Sequence, residues 1–133
     1  MKTRVLILIL LIPFLGFSQE KLTLLDIYEL EFISDPQISP DGSKVLYVRN
    51  FKDVMTDKNL SNIWIVNFDG SNNQPVTTGN QVDNTPRWVS GDRIIYKSSK
   101  SGSSQAYLFW LNSRAEQQIT NFKNSIGSIF FNI

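Results

Sequence analysis

The chain contains no cysteine and no histidine among its 133 residues. The first absence excludes disulfides, thiolate metal ligands and a cysteine nucleophile. The second excludes a Ser-His-Asp relay completed within the chain, because the serine proton needs an imidazole to receive it. Excess charge of one sign is missing too, with 13 Lys and Arg against 12 Asp and Glu. Lys2 and Arg4 lie in a segment expected to be removed, which leaves eleven basic and twelve acidic residues. Such balance gives no electrostatic reason to expect nucleic acid or an anionic membrane surface as a partner.

Long apolar runs are confined to one place, Val5 to Phe17, preceded by Lys2 and Arg4 and followed by Gly16 and Ser18 at its end. The run is too short for a bilayer span of about 20 residues and has the layout of a secretory signal, so residues 1–18 are read as a signal peptide. Pro13 and Gly16 argue against a buried or anchoring helix. No cysteine follows that could carry a lipid, so no stable membrane anchor is expected. The mature protein is placed outside the cytoplasm, periplasmic or extracellular.

What the chain does have is a repeat. Asp35-Pro36-Gln37-Ile38-Ser39-Pro40-Asp41-Gly42-Ser43-Lys44-Val45-Leu46-Tyr47-Val48 predicts two short strands joined by a tight turn: Pro fixes φ near −65° and Gly accepts positive φ. The pattern returns fifty residues later as Thr85-Pro86-Arg87-Trp88, a Val89-Ser90-Gly91-Asp92 turn and Arg93-Ile94-Ile95-Tyr96-Lys97. Trp88 stands where Ile38 was, and Tyr96 where Tyr47 was. An aromatic strand follows each hairpin, Asn62 to Asn67 and then Gln105 to Trp110. A fourth segment closes each copy, Gln74 to Thr77 and then Gln117 to Thr120.

Four short strands per unit at a period in the forties predict blades of a β-propeller. The fold class is therefore all-β, an incomplete β-propeller of about two four-stranded blades plus the first strand of a third. Blade one is placed at about 35–78, blade two at about 85–121, and the start of blade three at 126–133. Residues 22–34 form a lead-in, with a helix of two or three turns over Leu22 to Phe32, capped by Thr23 with Asp26 three residues on. This helix is expected to pack as a lid on the edge of the propeller. Two blades and a strand cannot close a ring, so the chain is read as the front of a longer protein.

Four groups of residues invite a functional reading. Asp53, Asp57 and Asn59, in a polar insertion from Asn50 to Ser61, lack the alternating spacing of a calcium loop and are read as part of a solvated loop. Asn59-Leu60-Ser61 has the form of a glycosylation sequon, which matters only in a eukaryotic secretory route. Gly102-Ser103-Ser104-Gln105-Ala106 approaches a nucleophile elbow, but a strand rather than a helix is predicted after Ser104 and no histidine exists to serve it. Trp64, Trp88, Tyr107, Phe109 and Trp110 could be imagined as a stacking platform. Alternation instead puts Trp64 and Tyr107 between adjacent blades, with Trp110 turned outward. No residue is assigned a catalytic, cofactor-binding or metal-binding role, and no cofactor is called for.

From Leu22-Thr23 through Asp26, then Ile33-Ser34-Asp35-Pro36-Gln37-Ile38-Ser39-Pro40-Asp41-Gly42, then Asn62-Ile63-Trp64-Ile65-Val66 and Asp69-Gly70, the chain resembles the start of a secreted prolyl oligopeptidase-family serine peptidase, of the acylaminoacyl-peptidase and dipeptidyl-peptidase-like kind. The resemblance implies an N-terminal propeller above a C-terminal α/β-hydrolase domain that carries the catalytic Ser, Asp and His. It implies that the blades gate the access of peptide substrates and do no chemistry themselves. The hydrolase domain is then the partner of the blades. TolB-type propellers share Ser-Pro-Asp-Gly, and a periplasmic propeller that only binds proteins is the alternative. A third reading is a complete small β-domain that binds a ligand.

Overall fold

The computed structural model describes residues 21, 23 and 25–130. The expected signal peptide, and the last three residues of the expected third blade, lie outside the described residues.

Among the described residues, eight strands form two antiparallel four-stranded sheets, each in simple sequential order. The first contains β1 (Phe32–Ile38), β2 (Lys44–Asp53), β3 (Lys58–Asn67) and β4 (Gln74–Pro75); the second contains β5 (Asp83–Ser90), β6 (Arg93–Ser98), β7 (Gln105–Trp110) and β8 (Glu116–Gln118). A single helical turn, α1 (Asp26–Glu29), precedes them. The repeat read in the sequence is thus a repeat of meander sheets.

The turn between β1 and β2 shows how the repeat is built. Gly42 takes φ of 72°, and its N–H donates to the Ser39 carbonyl at 2.9 Å. The Asp41 carboxylate accepts from Ser39 Oγ at 2.6 Å and from Ser43 N at 3.1 Å. Those bonds to the ionised form, that from Ser39 foremost, lower its pKa to about 2. Each first strand also carries a bulge at its proline: register slips between Ser34 and Gln37 and again between Asn84 and Arg87. Asp35 and Thr85, both immediately before the proline, take φ of 48° and 55°. A β-branched residue in that region is strained, so the bulge at Thr85 is held by its surroundings, with Pro86 fully buried.

Pairing of Tyr47 with Trp64 and of Tyr96 with Tyr107 makes these tyrosines equivalent. Each sheet therefore has an aromatic face (Tyr47 and Trp64; Tyr96 and Tyr107) and an aliphatic face (Leu46 and Ile65; Ile95 and Leu108). The core forms where the aliphatic face of the first sheet meets the aromatic face of the second: Leu46, Ile63, Ile65 and Val76 pack with Trp88, Ile94, Tyr96, Tyr107 and Phe109. Trp88 is 4% exposed, whereas Ile38 at the matching position is 65% exposed. No strand or sheet among the described residues packs on the aromatic face of the first sheet.

A second device closes each unit. Thr77 Oγ1 accepts from the Ile63 N–H at 2.9 Å, and Thr120 Oγ1 accepts from the Ala106 N–H at 2.9 Å. Val76 and Ile119 donate their own N–H to the Ile63 and Ala106 carbonyls. The fourth strand can then be two or three residues long, because hydroxyls replace its missing rungs.

Three expectations are corrected. The helix spans four residues and not two or three turns: Leu25, Ile27 and Leu30 stay more than half exposed, so no burial supports a longer one. Phe32 and Ile33 are drawn into β1 by pairing with Asn50 and Arg49. Thr23 is not a side-chain cap; its backbone N–H instead donates to the Asp26 carboxylate. The polar insertion is not a loop but an extension of the β2–β3 hairpin, with Asn50 opposite Ser61 through to Asp53 opposite Lys58 and only Val54 to Asp57 in the turn. Trp64 does share the register of Tyr107, but its face points away from the second sheet.

Candidate functional site

The residues with most chemistry on them collect along the seam between the two sheets. Arg87 Nη1 on β5 donates to Asp35 Oδ2 in the β1 bulge at 2.8 Å, and Asp35 Oδ1 accepts from Gln37 Nε2 at 2.9 Å. Trp88 Nε1 donates to the Gln37 carbonyl at 3.1 Å. At the far end of the sheets Arg114 Nη2 donates to the Val76 carbonyl at 3.1 Å. Buried Ser61 donates to the Asp83 carbonyl at 2.8 Å and forms a parallel bridge with Val82. All four cross-sheet contacts are made by polar groups at the border of the apolar core, which fixes the sheets in one register.

Beside this seam sits a second polar set, anchored on the buried Tyr96 and Asp83. Tyr96 is fully buried and donates through its hydroxyl to Glu116, which also pairs with Lys100. Lys100 Nζ lies 4.0 Å from the centroid of the Tyr107 ring. Burial lowers the Lys100 pKa and raises that of Glu116, and the nearby Asp83 raises both. Asp83 is fully buried; Oδ2 accepts from Gln81 Nε2 at 2.8 Å, and Oδ1 has no hydrogen-bond partner. Sequence reasoning missed this set because its members are separated by loops. The one readable signal was an acidic residue, Asp83, at the head of an otherwise inward-facing strand.

The sequence-derived candidates are not brought together. Asp53 accepts from Met55 N and Thr56 Oγ1 within its own turn, while Asp57 pairs with Lys52 at 2.7 Å and accepts from Tyr28. No group of three or more His, Cys, Asp or Glu side chains able to hold a metal occurs among the described residues. Asn59 is exposed, whereas the sequon's Ser61 is buried in the seam. The Ser104 N–H donates to Ser125 Oγ at 3.1 Å, and a strand follows it. Trp88, Tyr107 and Phe109 are core residues, so the five aromatics form no common platform. At the seam, the Asp35 carboxylate is engaged by Arg87 and Gln37, and Ser61 by the Asp83 carbonyl.

No protein-family profile matches the chain. Dipeptidyl-peptidase 5 of Porphyromonas gingivalis is 35% identical over 77 residues, covering 57% of this chain and 11% of that protein. Peptidase YuxL of Bacillus subtilis is 28% identical over 104 residues, covering 77% of this chain and 16% of that protein. Among solved structures, an acylaminoacyl peptidase of Pyrococcus horikoshii superposes with a TM-score of 0.62 at 21% identity, over 79% of this chain and 16% of its own. The β-propeller domain of the trilobed protease from Pyrococcus furiosus gives 0.56 at 20% identity, over 70% of this chain and 28% of its own. The chain is a homologue of these peptidases and shares its fold with a propeller domain among the solved structures. The two structural matches carry the propeller fold, and the sequence matches carry the kinship. The propeller segment spans between a tenth and a sixth of the length of the curated peptidases it aligns with. The seam is the interface through which its two four-stranded sheets pack.

Proposed function

We propose that this chain is the non-catalytic front of an exported serine peptidase, whose complete propeller gates peptide access to an α/β-hydrolase domain outside these 133 residues. The observation that carries the reading is the 35% identity to a dipeptidyl-peptidase of a chain that folds as two packed four-stranded antiparallel sheets. The absence of histidine supports assigning the chemistry elsewhere. The blades act by geometry, as a wall that admits extended peptides and turns away folded proteins. Export rests on the layout of residues 1–18, and places the protein in the periplasm or outside the cell.

The test is to read the native gene beyond the Ile133 codon, express its whole product, and assay it beside the 133-residue chain on short peptides and on a folded protein. The whole product is expected to cleave the peptides, to be inactivated by a serine-directed phosphonate and to spare the folded protein. The 133-residue chain is expected to cleave neither. A whole product made of blades alone would overturn the peptidase reading and favour a protein-binding propeller.

A further inference from the structure

The apolar core does not fill the space between the sheets to its end. Lys44 pairs with Asn67 two positions along the ladder from Leu46 and Ile65, so both share the face of the first sheet that turns toward the second. Gln74, opposite Ile65, joins them from β4. From the second sheet Leu111 continues the inward face of Tyr107 and Phe109 and packs against the core. Between these groups opens a cleft of about 270 Å³. Buried Ile65 and Val76 and half-buried Leu111 form its floor, and its walls carry Lys44, Arg114 and side-chain amides.

The lining holds two cations and no carboxylate. Among the described residues, Lys44 makes no ion pair. The hydrogen bonds of Arg114 go from Nη2 to the carbonyls of Pro75 and Val76, which leaves Nε and Nη1 without partners among the described residues. Its guanidinium is set in place by the Phe109 ring, 5.7 Å from centroid to carbon, and its backbone takes φ of 55°, a region that a long side chain occupies rarely. The acidic groups of the neighbouring turns are bound within those turns: Asp41 to Ser39 and Ser43, Asp69 to Ser71, and Asp92 to Ser90 and Arg93. Of the three, Asp41 feels the Lys44 charge, more weakly than it feels its own serines. Asn72, Gln74 and Asn112 add amides to the walls, which both donate and accept.

We infer that this cleft is a binding site for a free carboxylate carried beside an apolar side chain, as at the C-terminus of a peptide or in an N-acylated apolar amino acid. Arg114 and Lys44 take the carboxylate, the floor takes the side chain, and the amides take the adjoining peptide group. Two cations facing one space without an acid in its lining favour an anion there. The apolar floor selects an anion with a hydrocarbon part over a bare inorganic one. The volume is just below that of drug-sized pockets, room for one residue and its flanking amide and not for a long segment. The site stands apart from the peptidase reading, since its residues all lie in this chain and it asks for no hydrolysis.

The experiment is isothermal titration calorimetry on the whole gene product, treated with a serine-directed phosphonate so that no probe is turned over. The probes are N-acetyl-L-leucine, N-acetyl-L-leucinamide and acetate, each up to about 10 mM, and the titrations are repeated on Lys44→Gln and Arg114→Gln. The acid is expected to bind, with the amide and acetate each about ten-fold weaker or more, the first lacking the charge and the second the side chain. Each substitution should weaken the acid about ten-fold and flatten its preference over the amide. Arg114 also holds the β4 carbonyls, so if Arg114→Gln misfolds, Lys44→Gln decides alone. No binding of the acid, equal binding of acid and amide, equal binding of acid and acetate, or binding of the acid that the substitutions leave unchanged overturns the site. A whole product lacking a hydrolase domain overturns the peptidase reading and leaves this test as it stands.

Discussion

Trp64 and Trp88 differ in what their indole N–H meets. Trp88 is in the core and donates to the Gln37 carbonyl; Trp64 Nε1 is buried and has no partner, with the Arg49 guanidinium 5.2 Å from its ring centroid. A buried donor without an acceptor keeps its desolvation cost, and removing it recovers that cost. Trp88 is almost fully buried and Trp64 only partly, so burial and the N–H bond both weigh against replacing Trp88. Trp64→Phe is expected to cost at least about 1 kcal/mol less than Trp88→Phe in urea unfolding followed by far-UV circular dichroism. Equal costs would mean that Trp64 has an acceptor in solution. A covering partner on the aromatic face of the first sheet is one place from which such an acceptor would come.

At the scale of the element, the closing threonines are the repeated device. Thr77→Val and Thr120→Val each keep the side-chain shape and strand a backbone N–H, of Ile63 and Ala106 respectively. Each variant is expected to lose roughly 1–3 kcal/mol, with the larger loss at Thr77, whose rung lies beside the fully buried Ile63. Thr120 has a second role: its hydroxyl donates to Gln105 Oε1 at 2.7 Å, so Thr120→Val should also speed amide hydrogen exchange at Phe122, whose N–H is held by that same oxygen. Unchanged exchange at Phe122 would show that Gln105 holds the segment without Thr120. Most of this architecture was legible in the residues. The Pro-Asp-Gly turn, the order of four segments and the paired Val76-Thr77 and Ile119-Thr120 follow from local backbone chemistry. Local chemistry misled where a tertiary partner decided the outcome. Asn50 to Ser61 is polar and reads as a loop, yet Phe51 opposite Leu60 and Lys52 beside Asp57 zip it into a ladder. The apolar spacing of Leu25, Ile27 and Leu30 reads as a helix face, yet no surface within the described residues buries it. Beyond Asp83, the Tyr96, Lys100 and Glu116 set could not be read, since a period-two pattern says which side chains share a face and not which loops cross it.

For the molecule as a whole, the repeat places the same two faces on both blades and covers only one pair of them. Ile65 and Leu108 are register equivalents on the aliphatic faces. Ile65 is buried at the seam, while Leu108 is half-buried on the outer side of the second blade. The chain after β8 already turns toward that outer side: Lys97, on the same face as Leu108, donates to the Gly127 carbonyl at 2.5 Å. Stacking a further blade there would bury Leu108 as the second blade buries Ile65. In the 133-residue chain, Ile65→Glu should abolish cooperative unfolding, because a carboxylate would lie in the core without a partner. Leu108→Glu in the same chain should leave the urea midpoint nearly unchanged and reduce concentration-dependent association in sedimentation velocity, since it charges an open apolar face. In the whole gene product both substitutions should destabilise by several kcal/mol. If Leu108→Glu is harmless there too, the second sheet ends the stack on that side and no further sheet covers Leu108.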